Sequence, residues 1–226
     1  PTIFRSVGVP NAVIPKKGKL YVGSYDLLGL TAGYSLDDRL MLIVGGAIPT
    51  PDDWTGIHSE ILGAWSLGVK LGLRLDSLVH LALGYQYGTS IYDKAATEER
   101  ESEITLSAPY IVGSYGDDDS RVSLTLGHAF KSHRTFYPPY RNFSEFKRNA
   151  WLGALGGDYR FARHWKVAGE VAYMQTAGVL PVIATVRYFS RTWAVDVGVA
   201  YVGITLEGGT PPVIPVLPVV AGVFVF

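Results

Sequence analysis

The side chains best suited to do chemistry lie in one stretch, Gly127-His128-Ala129-Phe130-Lys131-Ser132-His133-Arg134. A serine with a histidine base in hydrogen-bond reach is the minimal nucleophilic pair, so His128, Ser132 and His133 mark the one place where acyl transfer is conceivable. No Asn or Asp stands nearby to orient the base, and a histidine at a strand end is an ordinary interfacial residue. Asp117-Asp118-Asp119 offers carboxylates of the kind calcium takes, but a polar turn explains the same run. Asn142-Phe143-Ser144 matches a glycosylation spacing with nothing further around it to support that use. With no cysteine, disulfides and thiolate metal centres are excluded. The sequence therefore predicts no catalytic residue, no metal site and no cofactor.

Composition narrows the class. The chain has 226 residues, 48% hydrophobic and 18% charged, with 26 glycines and 14 tyrosines. A chain this apolar can bury surface, so it is not disordered. Lys plus Arg and Asp plus Glu number 20 each, so no net field draws it to nucleic acid. A spanning helix needs roughly 18 consecutive apolar residues. The best run, Val213–Phe226, is interrupted by Pro215 and Pro218, which break helices. The start, Pro1-Thr2-Ile3-Phe4-Arg5, carries no charged-then-apolar leader pattern, as expected if the chain is not exported or if a leader has been removed.

What must position the polar groups is a set of strands. Ile61, Gly63, Trp65, Leu67, Val69, Leu71, Leu73 and Leu75 alternate with Leu62, Ala64, Ser66, Gly68, Lys70, Gly72 and Arg74. Successive side chains of a strand point to opposite faces, so this period of two is a strand signal. It recurs as Val79–Tyr87 (odd positions), Ile104–Val112 (even), Val122–Leu126 (even), Trp151–Phe161 (odd), Trp165–Tyr173 (odd) and Trp193–Tyr201 (odd). With weaker segments, about twelve strands result, an even number. They lie near 18–25, 28–36, 39–48, 59–75, 78–90, 102–116, 120–130, 148–162, 165–177, 182–190, 193–205 and 216–226. Tight turns fall at Asp37-Asp38, Asp76-Ser77, Asp117–Ser120, Arg163-His164 and Arg191-Thr192. Most of the alternate connections are longer: 49–58, 91–101, 131–147 and 206–215.

Such strands fold as an all-β, antiparallel up-and-down barrel, soluble or transmembrane. The polar face is rich in Gly, Ala and Ser with single charges, whereas a solvated outer face would carry many Lys and Glu. Aromatics gather toward the ends of the apolar stripes, as at Trp65, Tyr85, Tyr87, Tyr110, Phe161, Trp165, Tyr188, Trp193 and Tyr201. Half-wet aromatic belts are what the two membrane interfaces favour. The apolar stripes are accordingly placed toward lipid.

The chain closes Val219-Val220-Ala221-Gly222-Val223-Phe224-Val225-Phe226. In this terminal aromatic it resembles the outer-membrane β-barrel proteins of Gram-negative bacteria, with residues 18–226 as the barrel. The resemblance implies a bacterial outer-membrane location, contact with lipid bilayer and lipopolysaccharide, and recognition of Phe226 by the barrel-assembly machinery. It also implies a periplasmic C-terminus, so the tight turns face the periplasm and the N-terminus begins there too. Residues 1–17, with Ile3, Phe4, Val7, Val9, Val13 and Ile14, suit a periplasmic lead-in, ordered or not, or a plug folded into the lumen. Outer-membrane phospholipases and lipid A deacylases are similar in strand number or size, but none of their active-site motifs is present.

Parity then assigns the lumen. Lys70, Arg74, His80, Gln86, Asp158, Arg160, Lys166, Glu170, Arg187 and Asp196 face inward. A two-residue turn at Arg191-Thr192 sets Arg187 opposite Asp196, at Cβ separations of about 5 Å, and the preceding connection brings Glu170 beside the same arginine. Mixed charges of this kind argue against strong ion selectivity, which uses rings of one sign. The expected function is a non-enzymatic small-solute pore or structural barrel; the alternatives are an accessory subunit of a larger envelope complex and a lipid-modifying enzyme. The segment Lys131–Lys147 offers a contact surface in Arg134, Phe136, Tyr137, Tyr140, Arg141, Phe143 and Phe146, since aromatics interleaved with Arg favour interfaces. Glu98-Glu99-Arg100-Glu101 reads as a solvated loop tip.

Overall fold

A computed structural model describes residues 11–25, 29–47, 59–94, 100–137, 142–175, 179–204 and 216–226. The strands are β1 (Leu20–Tyr25), β2 (Gly29–Ser35), β3 (Leu40–Ala47), β4 (Ser59–Arg74), β5 (Val79–Lys94) and β6 (Arg100–Gly116). They continue as β7 (Ser120–Tyr137), β8 (Asn142–Ala162), β9 (Trp165–Met174), β10 (Val179–Phe189), β11 (Trp193–Ile204) and β12 (Val216–Val225). Each pairs antiparallel with its chain neighbours, and β1 closes on β12 to form a twelve-stranded barrel. Closure removes the sheet edge, the one way a sheet satisfies its backbone in hydrocarbon. The last residue takes part, because Phe226 N donates to Leu20 O at 2.8 Å.

Acidic residues at the tight end build the turns. Asp37 Oδ1 accepts from the N–H groups of Arg39 and Leu40, at 2.6 and 2.7 Å. Asp117 Oδ1 accepts in the same way from Asp119 and Ser120, at 2.8 and 3.0 Å. This is the side-chain mimicry of a backbone turn that Asp performs well, and it is the use the structure makes of Asp117. Gly116 just before it has φ +127, where a Cβ would collide with the Ser120 carbonyl.

The faces divide as the alternation predicts in most strands. Trp65, Leu67, Val69, Leu71 and Leu73 are exposed on the outside of β4, while Lys70 between them is buried. The apolar outer surface is bounded by aromatics at both ends. Tyr115, Tyr159, Trp165, Tyr188 and Trp193 stand near the tight turns, and Trp65, Tyr87, Phe130 and Trp151 toward the other end. Neighbouring rings touch, with Trp165–Tyr188 centroids 4.9 Å apart and Trp65–Tyr87 5.7 Å.

Strand β6 departs from the prediction. Its stripe Ile104, Leu106, Ala108, Tyr110 and Val112 faces the lumen, with Val112 at 0% exposure, and Ile111 and Tyr115 face out. Register with β5 decides this, because the outward Leu83 lies opposite Ile111. Glu103, Thr105 and Ser107 have the polar character of a lumen face but sit on the outward face, toward and beyond the loop-end aromatics. Tyr110 is therefore no girdle residue; its ring lies over the inward Gly84.

Two predicted loops are also mostly strand. Strands β7 and β8 have 18 and 21 residues, against roughly 9–11 needed to span. They pair up to Tyr137↔Asn142, so most of 131–147 is a hairpin. Strands β5 and β6 likewise pair to Lys94↔Arg100, shortening 91–101 and placing Arg100 and Glu101 in a strand. Beyond Phe130 and Trp151 the outward face turns polar. Ser132 Oγ donates to Glu145 Oε1 at 2.9 Å, and Arg134 and Lys147 each approach that carboxylate to 3.3 Å. The same face is apolar below and ionic above, which marks a boundary between lipid and water.

Candidate functional site

The inner wall is where the polar chemistry collects. Adjacent strands present inward residues at matching register positions, so one wall carries Asp158 (β8), Lys166 and Glu170 (β9), Arg187 (β10) and Asp196 (β11). Arg187 and Asp196 are direct cross-strand partners, as the two-residue turn predicts, and Ser190 N donates to Trp193 O at 2.8 Å to close that turn. Their side chains make a two-point contact: Nε to Oδ1 at 2.7 Å and Nη2 to Oδ2 at 3.0 Å. Charge-assisted fork geometry of this kind is stronger than a neutral hydrogen bond, and both groups are buried.

The direct cross-strand partner of Arg187 on β9 is Lys166. Glu170 lies opposite Ile183, two inward positions further along β10. Lys166 directs its ammonium to Asp158 Oδ1, so the like charges of Lys166 and Arg187 each have a carboxylate of their own.

The remaining predicted lining residues divide by height. Lys70 faces the middle of the lumen, and Gln86 lies over the inward Gly68. Arg74 turns toward the tight end, where its Nε donates to Asp76 O at 3.1 Å. His80 is directly opposite Arg74. Arg160 pairs with Asp119 at 2.8 Å, and its guanidinium lies 4.8 Å from the Phe189 ring centroid. Arg121 is an inward, buried residue of the same end that was not among the predicted lining set, although the alternation had placed it on the polar face. Its Nη2 is 3.7 Å from Asp118.

The described part of the N-terminal segment enters this lumen. Asn11, Ala12, Val13 and Pro15 are buried. Ala12 packs with Ala82 and Val112, and Ile14 packs against Tyr21, Met41 and Val223. Lys70 Nζ donates to the carbonyls of Asn11 and Val13, both at 3.0 Å. The alternation predicts Lys70 to face the lumen, but no sequence signal reveals that it holds another part of the chain.

The nucleophile candidates do not assemble. His128 stacks edge-on between Phe130 and Trp151, with centroids at 4.6 and 4.9 Å, on the outward face. Ser132 also faces outward and is engaged with Glu145, whereas the next residue, His133, points to the other side of the strand. Of the loop contact candidates, Arg134 pairs with Glu145, while Phe136, Tyr137, Phe143 and Phe146 hold strand positions. Tyr140 and Arg141 lie outside the described residues.

No protein-family model matches the sequence, and no curated protein does. Solved structures match in fold. One is the KdgM porin in complex with disordered oligogalacturonate, with TM-score 0.57 and 15% identity over 92% of this chain and 98% of that one. The NanC porin gives 0.53 and 10%, over 91% and 98%. A FadL homologue of Pseudomonas aeruginosa gives 0.50 and 8%, over 87% and 76%. The chain has the closed antiparallel barrel fold of outer-membrane porins.

Proposed function

We propose that this chain resides in a bacterial outer membrane and conducts small solutes without acting on them, both termini lying on the periplasmic side. The observation that carries the reading is the division of the wall: leucines and valines bounded by two aromatic belts outside, and, at that height, the described charges turned inside. That is the arrangement of a barrel with lipid around it and a polar passage within. Short turns at the rim where β1 begins and β12 ends support the orientation, since outer-membrane barrels keep their short turns in the periplasm. Exposed Phe226, at the rim where β12 meets β1, fits recognition by assembly machinery. Ser132 and His133 on opposite faces favour a role without acyl transfer. Opposed charges on the inner wall favour weak ion selectivity.

A second reading, an accessory barrel that binds a partner, is favoured by one feature. Strands β4 to β8 have 16 to 21 residues and raise a polar wall above the loop-end aromatics on their side of the barrel. Arg134 and Lys147 on it are suited to lipopolysaccharide phosphates or to another envelope protein. Planar-bilayer recording of the purified barrel decides between the two. Steady open-channel steps, in the parent or after removal of residues 1–17, are expected of the pore. Silence from both forms, with co-purification in a larger assembly, would establish the accessory role instead.

A further inference from the structure

Resting on the pore reading, we propose that residues 11–15 form a stopper inside the lumen, latched by Lys70, and that its release widens the conducting path. The turn that sends the chain inward is built for it. Gly18 has φ +80, a left-handed conformation that other residues adopt only with strain. Around it Lys19 N donates to Lys16 O at 3.2 Å, Gly18 N to Ser35 O at 2.8 Å and Lys17 N to Asp38 Oδ1 at 2.7 Å. The strand that would otherwise lead away from the barrel is thus doubled back at the rim.

Inside, the wall is shaped to receive the segment. A Cβ on Gly72 would collide with the Ile14 side chain and lie 3.4 Å from the Ala12 carbonyl, so the absence of a side chain there is what allows the close approach. The small Ala82 leaves room beside Ala12. Ser114 Oγ accepts from Ala12 N at 2.8 Å and is bonded to Ser123 Oγ at 2.7 Å. Asn11 Oδ1 accepts from Val13 N at 3.1 Å, satisfying a fourth backbone group of the segment beside Asn11 O, Val13 O and Ala12 N.

Residues 11–15 belong to no strand, and they are held by side chains rather than by a β-ladder. Release therefore requires no strand of the barrel to unpair. Lys70 contributes two of them from one ammonium, at mid-wall, in contact with both ends of the Asn11–Val13 turn. Charge-assisted bonds are the strong members of such a set, so Lys70 is the point at which the segment is released.

The absence of cysteine makes a direct test simple, because a single introduced thiol is the sole target for a maleimide. In the folded barrel, the thiol of an Ala12→Cys variant should react with a bulky maleimide far more slowly than that of a Lys16→Cys variant at the exposed rim. Adding Lys70→Met should speed labelling at position 12 by at least roughly ten- to a hundredfold, the equivalent of losing one of its two charge-assisted hydrogen bonds, and should raise the single-channel step. Ser114→Ala serves the same purpose if Lys70→Met does not fold. Equal reactivity at positions 12 and 16, with Lys70 in place, would overturn the insertion. Faster labelling at position 12 with the step unchanged would overturn the stopper and leave the pore intact. Faster labelling there with no current from any form would overturn the pore reading while the latch stands.

Discussion

Arg187 and Asp196 face each other across the β10–β11 hairpin and meet at two points, 2.7 and 3.0 Å, with both side chains buried in the inner wall. Removing one member of a buried pair strands the other charge, which costs about 3–5 kcal/mol. Asp196→Ala should therefore lower the unfolding temperature of the purified barrel in detergent, followed by its heat-dependent gel shift. Replacing both, as Arg187→Met with Asp196→Leu, should recover much of the loss, because an apolar pair leaves no charge behind. An Asp196→Ala barrel as heat-resistant as the parent would count against the pair.

The Tyr110 ring occupies the space a Cβ on Gly84 would take. Gly84→Val should force the ring away and destabilise by about 1–3 kcal/mol, the usual cost of overpacking. Trimming the ring, as Gly84→Val with Tyr110→Ala, should return part of that stability in denaturant titrations. No recovery would place Tyr110 elsewhere, on the lipid side that the sequence pattern suggests.

The Asp117 turn has a pH signature. The Ser120 N–H, followed by that of Asp119, holds this carboxyl below its ordinary value. A depressed folded-state value means that its stabilisation is complete above the ordinary carboxylate range near 4, and is lost as pH falls through the lowered value. Asp117→Ala should thus be less stable than the parent at pH 7, and the gap should close as the pH falls through the lowered value of the carboxyl. A gap of constant size across that range would assign the effect to the turn backbone alone.

Leu124 points outward on β7, about midway between the turn-end and loop-end aromatics, opposite Leu155. An arginine there should cost about 2–4 kcal/mol in a bilayer, and far less at the interface. Leu124→Arg compared with Ser132→Arg, beyond Phe130, measures the difference by folding into lipid vesicles. Equal effects would remove the lipid boundary from between them.

Much of this was legible in the residues. Alternation read correctly from Gly63 to Leu75 and from Trp193 to Tyr201 because those stretches carry one apolar and one polar face throughout their lipid-level length, whereas β4 shifts register between Ile61 and Gly63. It misled at β6, where Ile111 and Tyr115 make the outward face apolar at lipid level while Glu103 and Thr105 make the same face polar above it. A stripe changes character when it leaves the bilayer, and the sequence does not mark where that happens. The same blindness to height turned the tall β5–β6 and β7–β8 hairpins into long loops.

The sequence by itself determined the barrel, its tight turns and the Arg187–Asp196 pair, since side-chain alternation and a two-residue turn are properties of a few consecutive peptide units. Tertiary structure alone decided the facing of β6, the placing of Lys166 opposite Arg187 and the seat of residues 11–15. Ala12 meets Ser114 at a separation of 102 residues, and Lys70 reaches Asn11 over 59. Such neighbours exist only once the sheet has closed on itself, because closure sets which inward side chains share a level of the lumen.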